Sequence, residues 1–344
     1  MKANQTEILD ASGLTRAAAL LRAGELVAIP TETVYGLGAN ALDPQAVQKI
    51  FEVKGRPADN PLIIHVLGAD DLVRWCREIP ESAQRLAGRF WPGPVTMILK
   101  KSDVIPPQTS AGLDTIAVRC PQTPLTRALL AAVDFPIAAP SANLSGRPST
   151  TTLRHVLEDL NGKIPAVLDG GDCRVGLEST IIDLTVQPPM LLRPGGVTLE
   201  QLRSVLGEVS VDPAVLCPLT DAQIPKAPGM KYRHYAPRAP LTLVKGSPAA
   251  TADYIAGHCK PGYGVLCFDE YASHFPDIQT ICMGSVSDET AQAHRLFDAL
   301  RQFDESPVQQ ILAQCPSEHG LGLALVNRLN KAAGFHIVEL EEQT

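Results

Sequence analysis

Apolar positions at helical spacing run from Thr15 to Ala23 and stop at Gly24, and Leu26–Pro30 is then a short unbroken apolar run. Together they predict a helix leading into a buried strand. Asp43 and Pro44 read as N-cap and first helical residue of a segment with Val47, Ile50, Phe51 and Lys54 at helical spacing, so that helix ends at Lys54. Pro57 and Pro61 exclude a regular helix beyond it, and Leu62–Val66 alternates like a half-buried strand. Helices are expected at Asp70–Cys76, Glu81–Phe90, Leu125–Val133, Leu153–Leu160 and Leu199–Leu206, and strands at Val95–Lys100, Thr115–Arg119 and Ile137–Pro140. Further strands end at Gly170-Gly171, begin at Ser179-Thr180 and end at Arg193. Strand alternating with helix, with polar loops at the strand ends, predicts a twisted mixed α/β sheet with one lined cleft.

The rhythm is lost over residues 208–240, which are proline-rich and read as a linker. Its second half, APGMKYRHYAPRAP, carries Lys231, Tyr232, Arg233, His234 and Tyr235, more chemistry than a spacer needs, and reads as an active-site lid. From Leu241 a new alternation starts: strands at Leu241–Val244, Gly264–Phe268, Gln279–Met283, Val308–Cys315 and His336–Leu340, and helices near Ala249–Ala256, Thr290–Phe303 and Leu321–Ala333. This predicts a smaller doubly wound, Rossmann-like domain over 241–344, after a first domain over 1–207. Gly320-Leu321-Gly322 lacks the third glycine and the upstream strand-turn unit of a dinucleotide site, and reads as a helix start.

Composition narrows the function classes. The chain has 344 residues, 45% of them hydrophobic and 19% charged, with a formal charge of −7. From Leu241 onward there are 6 Lys+Arg against 13 Asp+Glu, which leaves 24 of each sign before it. The acidic C-terminal part is a poor surface for nucleic acid, and the electrically balanced N-terminal part suits local anion sites better than a broad basic face. Eight cysteines form no CxxC pair and the histidines form no HExxH, which argues against a structural zinc site and for reduced, mostly buried thiols. The start MKANQTEILDASG shows no secretory pattern, and the apolar stretch Ala128–Pro140 is broken by Asp134 and Pro136, so a cytoplasmic protein without membrane contact is expected.

The candidate chemistry lies in loops. In KGRPADNPLIIH, Lys54 and Arg56 stand one residue apart on a kinked backbone; this is either a solvated basic turn or a pair gripping different oxygens of a polyphosphate. PTETVYGLG places Thr31, Glu32 and Thr33 after a strand end, although its glycines alone suit a tight turn. Arg119, closing TIAVR, is either a salt-bridge partner or an anion grip, and the strand-end location favours the grip. SANLSGRPST has the composition of an anion-cradling turn or of a capping loop, and GGDCRVGLEST and LLRPGG bring hydroxyls and Arg193 to further strand ends. GxxxxGK[ST] and GxSxG are both absent, so neither a standard P-loop nor the common serine-hydrolase elbow is present.

PTETVYGLG, KGRPxxNPLxxH, FWPGPVTMIL, TIAVRCP, SANLSGxPS, GLESTIID, LRPGG and PGMKYRHYAP resemble, in order and spacing, the threonylcarbamoyl-AMP synthase family in its long two-domain form with a YrdC-like catalytic domain. The resemblance implies an ATP-dependent condensation of L-threonine with bicarbonate or CO2 to L-threonylcarbamoyl-AMP and pyrophosphate, with Mg2+ accompanying ATP. It also implies a downstream complex that uses the adenylate to modify tRNA beside the anticodon, with tRNA contact by this chain indirect at most. Carried over by motif, Lys54, Arg56, Ser141 and Asn143 form the catalytic tetrad around the phosphates. Thr33, His65, Arg119, Ala139 and Ser179 hold threonine, and Asn60, Thr115, Ser149, Arg193 and Tyr235 add nucleotide contacts. The chain departs from the family at Thr123-Pro124, where a His-Pro pair is frequent, and at Ala227, where serine is common. Two rival readings make different demands: a carbamoyl-adenylate transferase of the hydrogenase-maturation kind should carry CxxC zinc fingers, and an RNA-binding or ribosome-assembly module should carry a contiguous basic face.

Overall fold

The structure, a computed structural model, describes residues 5–218, 227 and 234–341. Lys231, Tyr232 and Arg233 of the expected lid lie outside the described residues. The chain divides into two compact units, the first built mainly from residues before Val215 and the second from Gly146–Pro148, Leu216–Pro218 and the C-terminal part.

The first unit is built on one mixed sheet. Its strands are β1 (Glu7–Leu9), β2 (Val27–Ile29), β3 (Gly36–Asn40), β4 (Ile63–His65), β5 (Cys76–Arg77), β6 (Val95–Lys101), β7 (Thr115–Arg119), β8 (Ile137–Ala138), β9 (Ala166–Leu168), β10 (Thr180–Asp183), β11 (Met190–Arg193) and β12 (Ser210–Val211). Their spatial order is β1-β9-β2-β3-β8-β4-β7-β6-β10-β11-β12, with β5 paired to β6. The helices Leu14–Arg22 and Pro124–Val133 bury Leu20, Leu21, Leu129 and Leu130 in one cluster with Val27, Ile29 and Leu168. That is the mixed α/β architecture the alternating pattern implies.

Local chemistry sets the element ends that matter for the site. The Asp43 carboxylate accepts from the Gln45 amide at 2.9 Å, Pro44 opens the helix Pro44–Lys54, and Gly55 at φ 60° ends it in the left-handed region. Lys54 thereby stands at the helix end, at the mouth of the basic loop.

Two expectations change. Asp70–Cys76 is not one helix: a short 3-10 turn and Leu72–Trp75 are followed by extended backbone at Cys76, which pairs with Lys101. A helix of two turns is marginal alone, and strand pairing with β6 prevails. Gly36 and Gly38 lie in a central strand and not in a turn. A Cβ on Gly38 would come within 3.0 Å of Ile137 Cγ2 and of the Val27 carbonyl, so the glycine serves close strand packing.

The second unit carries a five-stranded parallel sheet of β13 (Leu241–Lys245), β14 (Tyr263–Cys267), β15 (Gln279–Cys282), β16 (Gln310–Gln314) and β17 (Ile337–Glu339), ordered β15-β14-β16-β13-β17. The three residues Gly146–Pro148 are held here: Ala236 N–H donates to Gly146 O at 2.9 Å, Arg301 to Pro148 O at 2.6 Å, and Arg147 pairs with Asp304 at 3.3 Å. Tyr235, at φ 63°, packs its ring 5.2 Å from that of Phe297, with the Arg328 guanidinium 5.6 Å from its centroid. At Gly320-Leu321-Gly322, the Leu321 and Gly322 amides donate to the Glu289 carboxylate, so an internal anion caps the helix start.

Candidate active site

Strand register assembles the first part of the site. His65 on β4 is the cross-strand neighbour of Arg119 on β7, Arg119 of Thr96 on β6, Thr96 of Ile181 on β10, and Ile181 of Arg193 on β11. Paired residues project to one face, so a band of side chains crosses five adjacent strands at one level. Ser179, two positions before Ile181, joins the band: its hydroxyl is 2.7 Å from Thr96 Oγ1, and Arg193 donates from Nε and NH2 to its carbonyl at 3.1 and 3.0 Å. LRPGG makes this approach possible, because a Cβ on Gly195 would sit 2.3 Å from the Glu178 carbonyl oxygen and 2.5 Å from the Thr180 nitrogen.

Of the two roles its position allows, Arg119 shows that of the salt-bridge partner. NH2 donates to Glu32 Oε1 and NH1 to Thr33 Oγ1, each at 2.7 Å, within a buried ion pair. Its Nε is buried with no hydrogen-bond partner among the described residues, as are His65 Nδ1, Asn60 Oδ1 and Thr150 Oγ1. A buried polar atom in this condition costs about 1–3 kcal/mol unless water or a ligand satisfies it.

Burial raises the Glu32 pKa, but the Arg119 charge and hydrogen bond outweigh it and hold the carboxyl below its usual value. Burial, and then Arg119, push the His65 imidazole down to about 3, against a smaller opposing effect of Glu32. His65 is therefore neutral when folded, while the unfolded chain takes up its proton near the ordinary 6.5. The unfolded state binds more protons below that pH, so this contribution to stability is complete above about 6.5 and declines as the solution is acidified toward 3. Urea unfolding at pH 6.5 and at pH 5 is expected to show wild type losing about 2 kcal/mol more than His65→Gln across that interval. Equal losses would mean the imidazole is charged in the folded protein.

A second cluster lies on the loops. Lys54, 2% exposed, donates from Nζ to the carbonyls of Ser141 and Asn143 at 2.5 Å, and its own carbonyl accepts from Ser145 N at 2.9 Å. The helix end and the SxN loop are thus tied in both directions. Arg56 donates to the Pro61 and Asn60 carbonyls at 3.2 and 3.5 Å, folding the basic loop back on itself. Tyr35 binds three motif loops together: its amide donates to Thr150 O, its carbonyl accepts from Ala142 N, and its hydroxyl donates to Gly171 O, all at 2.8 Å. Ser149 donates to Glu178 Oε1 at 2.6 Å, beside Ser179.

Of the residues singled out in the sequence, Thr33, His65, Arg119, Ser179 and Arg193 meet in or beside the band. Ala139 is joined to β4 by its amide, which donates to Ile63 O at 3.0 Å. Lys54, Ser141 and Asn143 meet at the loop cluster. Thr115 lies on the same face as Arg119 but four residues away along β7, roughly 13 Å. Because Ile63 pairs with Ala117 in parallel register, Thr115 is level with Pro61, next to Asn60. The face between these two levels carries Ile63, Ile98 and Ala117, which belong to a buried apolar cluster with Ala214 and the fully buried Ala227. Tyr235 belongs to the second unit. Motif reading did not single out Thr96, since a threonine in a strand is an ordinary β-former, or Glu178, and it left Glu32 without a role.

Comparison with known proteins agrees with these motifs. The family model Sua5_yciO_yrdC, described as telomere recombination, matches residues 19–195, and the model for the C-terminal domain of threonylcarbamoyl-AMP synthase matches residues 197–334. The threonylcarbamoyl-AMP synthase of Pyrococcus abyssi is 49% identical over 330 residues, covering 94% of this chain and 95% of that protein. The synthase of Bacillus subtilis is 47% identical, covering 94% of each. A crystal structure of P. abyssi Sua5 complexed with L-threonine superposes with a TM-score of 0.90 at 47% identity, over 98% of this chain and 100% of that one. The chain belongs to the threonylcarbamoyl-AMP synthase family.

Proposed function

We propose that this enzyme condenses L-threonine, bicarbonate or CO2, and ATP into L-threonylcarbamoyl-AMP with release of pyrophosphate. The observation that carries the reading is the division of one sheet face into two levels. Arg119, His65, Thr33 and Ser179 offer directed hydrogen-bonding groups at one level, with Asn60 and Thr115 about 13 Å along the strands at the other. That span suits an amino acid joined through a carbamate to an adenylate.

The neutral threonine amine adds to CO2 and gives up a proton to solvent water to become a carbamate, a carbamate oxygen attacks the α-phosphorus, and the α–β anhydride bond breaks with its electron pair leaving on pyrophosphate. Attacker and phosphate are both anionic, so the site works by positioning and by cationic compensation. Lys54, Arg56 and Arg193, with the Ser141 and Asn143 loop, serve the phosphates; Arg119 serves the threonine carboxylate. The Thr33 hydroxyl, the Ala139 backbone and Ser179 complete the amino-acid end, and Asn60, Thr115, Ser149 and Tyr235 the nucleotide end. His65 at a pKa of about 3 is too weak a base to hold a proton at neutral pH, so it contributes hydrogen bonding and shape.

Mg2+ comes to the site on ATP. Among the described residues no group of three His, Cys, Asp or Glu side chains is arranged to hold an ion, and Glu32 and Glu178 are engaged with Arg119 and Ser149. The ion would arrive bound to ATP and would offset part of its phosphate charge. A carbamate decomposes readily in water, so the site has to exclude water while the intermediate is held. The adenylate passes to a tRNA-modifying complex in the cytoplasm. No helix among the described residues is long and apolar enough to cross a membrane.

The test is pyrophosphate release from ATP with each component omitted in turn. Release is expected only when both threonine and bicarbonate are present; release independent of threonine would refute the substrate assignment.

A further inference from the structure

Glu32 is a carboxylate 5% exposed at the amino-acid end of the site, and burying a charge there costs several kcal/mol unless it is thoroughly paired. The pairing is thorough. Oε1 accepts from Arg119 NH2 at 2.7 Å, Oε2 accepts from the Gln122 amide at 3.0 Å, and the residue's own carbonyl accepts from Val175 N at 2.7 Å. The other side of the guanidinium is fixed by a chain of hydrogen bonds whose direction is determined. Thr31 Oγ1 lies 2.6 Å from Val34 O, an acceptor only, so the Thr31 proton is used there. The 2.8 Å contact between the Thr31 and Thr33 hydroxyls then has Thr33 as donor, and Thr33 Oγ1 accepts from Arg119 NH1. Both threonine hydroxyl protons are placed, and the guanidinium is held from NH1 and NH2 while Nε has no hydrogen-bond partner among the described residues.

The site also has to sort two kinds of anion. Threonine brings one carboxylate with a single charge, whereas ATP and pyrophosphate bring several charges. Arg119 lies against a carboxylate. An Arg–Glu pair with no net charge still offers directed N–H groups to a carboxylate, but repels a polyphosphate through the glutamate.

We propose that Glu32 is a positioning and specificity residue: it orients Arg119 for a monovalent carboxylate and keeps polyphosphate out of the amino-acid end. The inference rests on the proposed placement of threonine at Arg119. Glu32→Gln keeps the shape and removes the charge; Glu32→Asp keeps the charge but withdraws it by one methylene; Arg119→Lys tests the placement itself.

The threonine KM, the ATP KM, and inhibition by inorganic tripolyphosphate against threonine are measured for each. Glu32→Gln is expected to raise the threonine KM about 30-fold with the ATP KM within about twofold, and to make tripolyphosphate competitive with threonine, whereas wild type is expected to show no such competition. Glu32→Asp, which keeps the charge balance that Glu32→Gln loses and so carries the test if that variant does not fold, is expected to raise the threonine KM while tripolyphosphate stays non-competitive. If Arg119→Lys raises the threonine KM but the Glu32 variants leave both it and the inhibition pattern unchanged, the inference is overturned and the placement stands. If Arg119→Lys leaves the threonine KM unchanged as well, both are overturned.

Discussion

Lys54→Ala is expected to lower kcat for pyrophosphate release at least about 1,000-fold while the variant still unfolds cooperatively. Two losses coincide at this side chain. The ammonium is one of the buried cations assigned to the phosphates, and a missing charge-stabilising donor in a dry site costs about 10²–10³ in rate. It is also the tie between the end of the Pro44–Lys54 helix and the carbonyls of Ser141 and Asn143, so deleting it releases the loop proposed to make two further phosphate contacts. Leaving two carbonyls unsatisfied costs about 1–3 kcal/mol each, a lowering that thermal unfolding would register without abolishing the fold. Lys54→Arg is not expected to restore activity, because a planar fork does not converge on two carbonyls as a compact ammonium does. Activity within tenfold of wild type in Lys54→Ala would show that the ammonium is only a structural tie.

The legible part of this site consisted of signals that are local in the chain. The helix end at Lys54 could be read from Asp43, Pro44 and the following glycine, since capping and φ preferences act over a few residues. Arg119 at the end of a buried strand, just before Cys120-Pro121, could be read from TIAVR. Its partner could not: Glu32 is 87 residues away, and only the order of β2, β3, β8, β4 and β7 brings the two together. The same applies to Thr96, which is placed in the band by register with Arg119 and by its hydrogen bond with Ser179. The weakest expectation was the Asp70–Cys76 helix, where a short segment of ordinary helix preference was overruled by an edge pairing with β6. The glycines of PTETVYGLG suggested a turn, and the requirement they meet is close packing against β2 and β8.

Every proposed role depends on the amino acid sitting at the level of the face marked by Arg119. Arg119→Lys keeps the charge facing Glu32, so the pair is not broken, but it loses the fork that reaches Glu32 and Thr33 together. One hydrogen bond from a charged donor to the threonine carboxylate, at about 1.5–3 kcal/mol, sets the scale of the effect. The decisive measurement is the pair of Michaelis constants for threonine and ATP in this variant and in wild type. The account predicts a threonine KM raised about 100-fold with the ATP KM unchanged within about twofold. An unchanged threonine KM, or an ATP KM that rises as far as the threonine one, would contradict it.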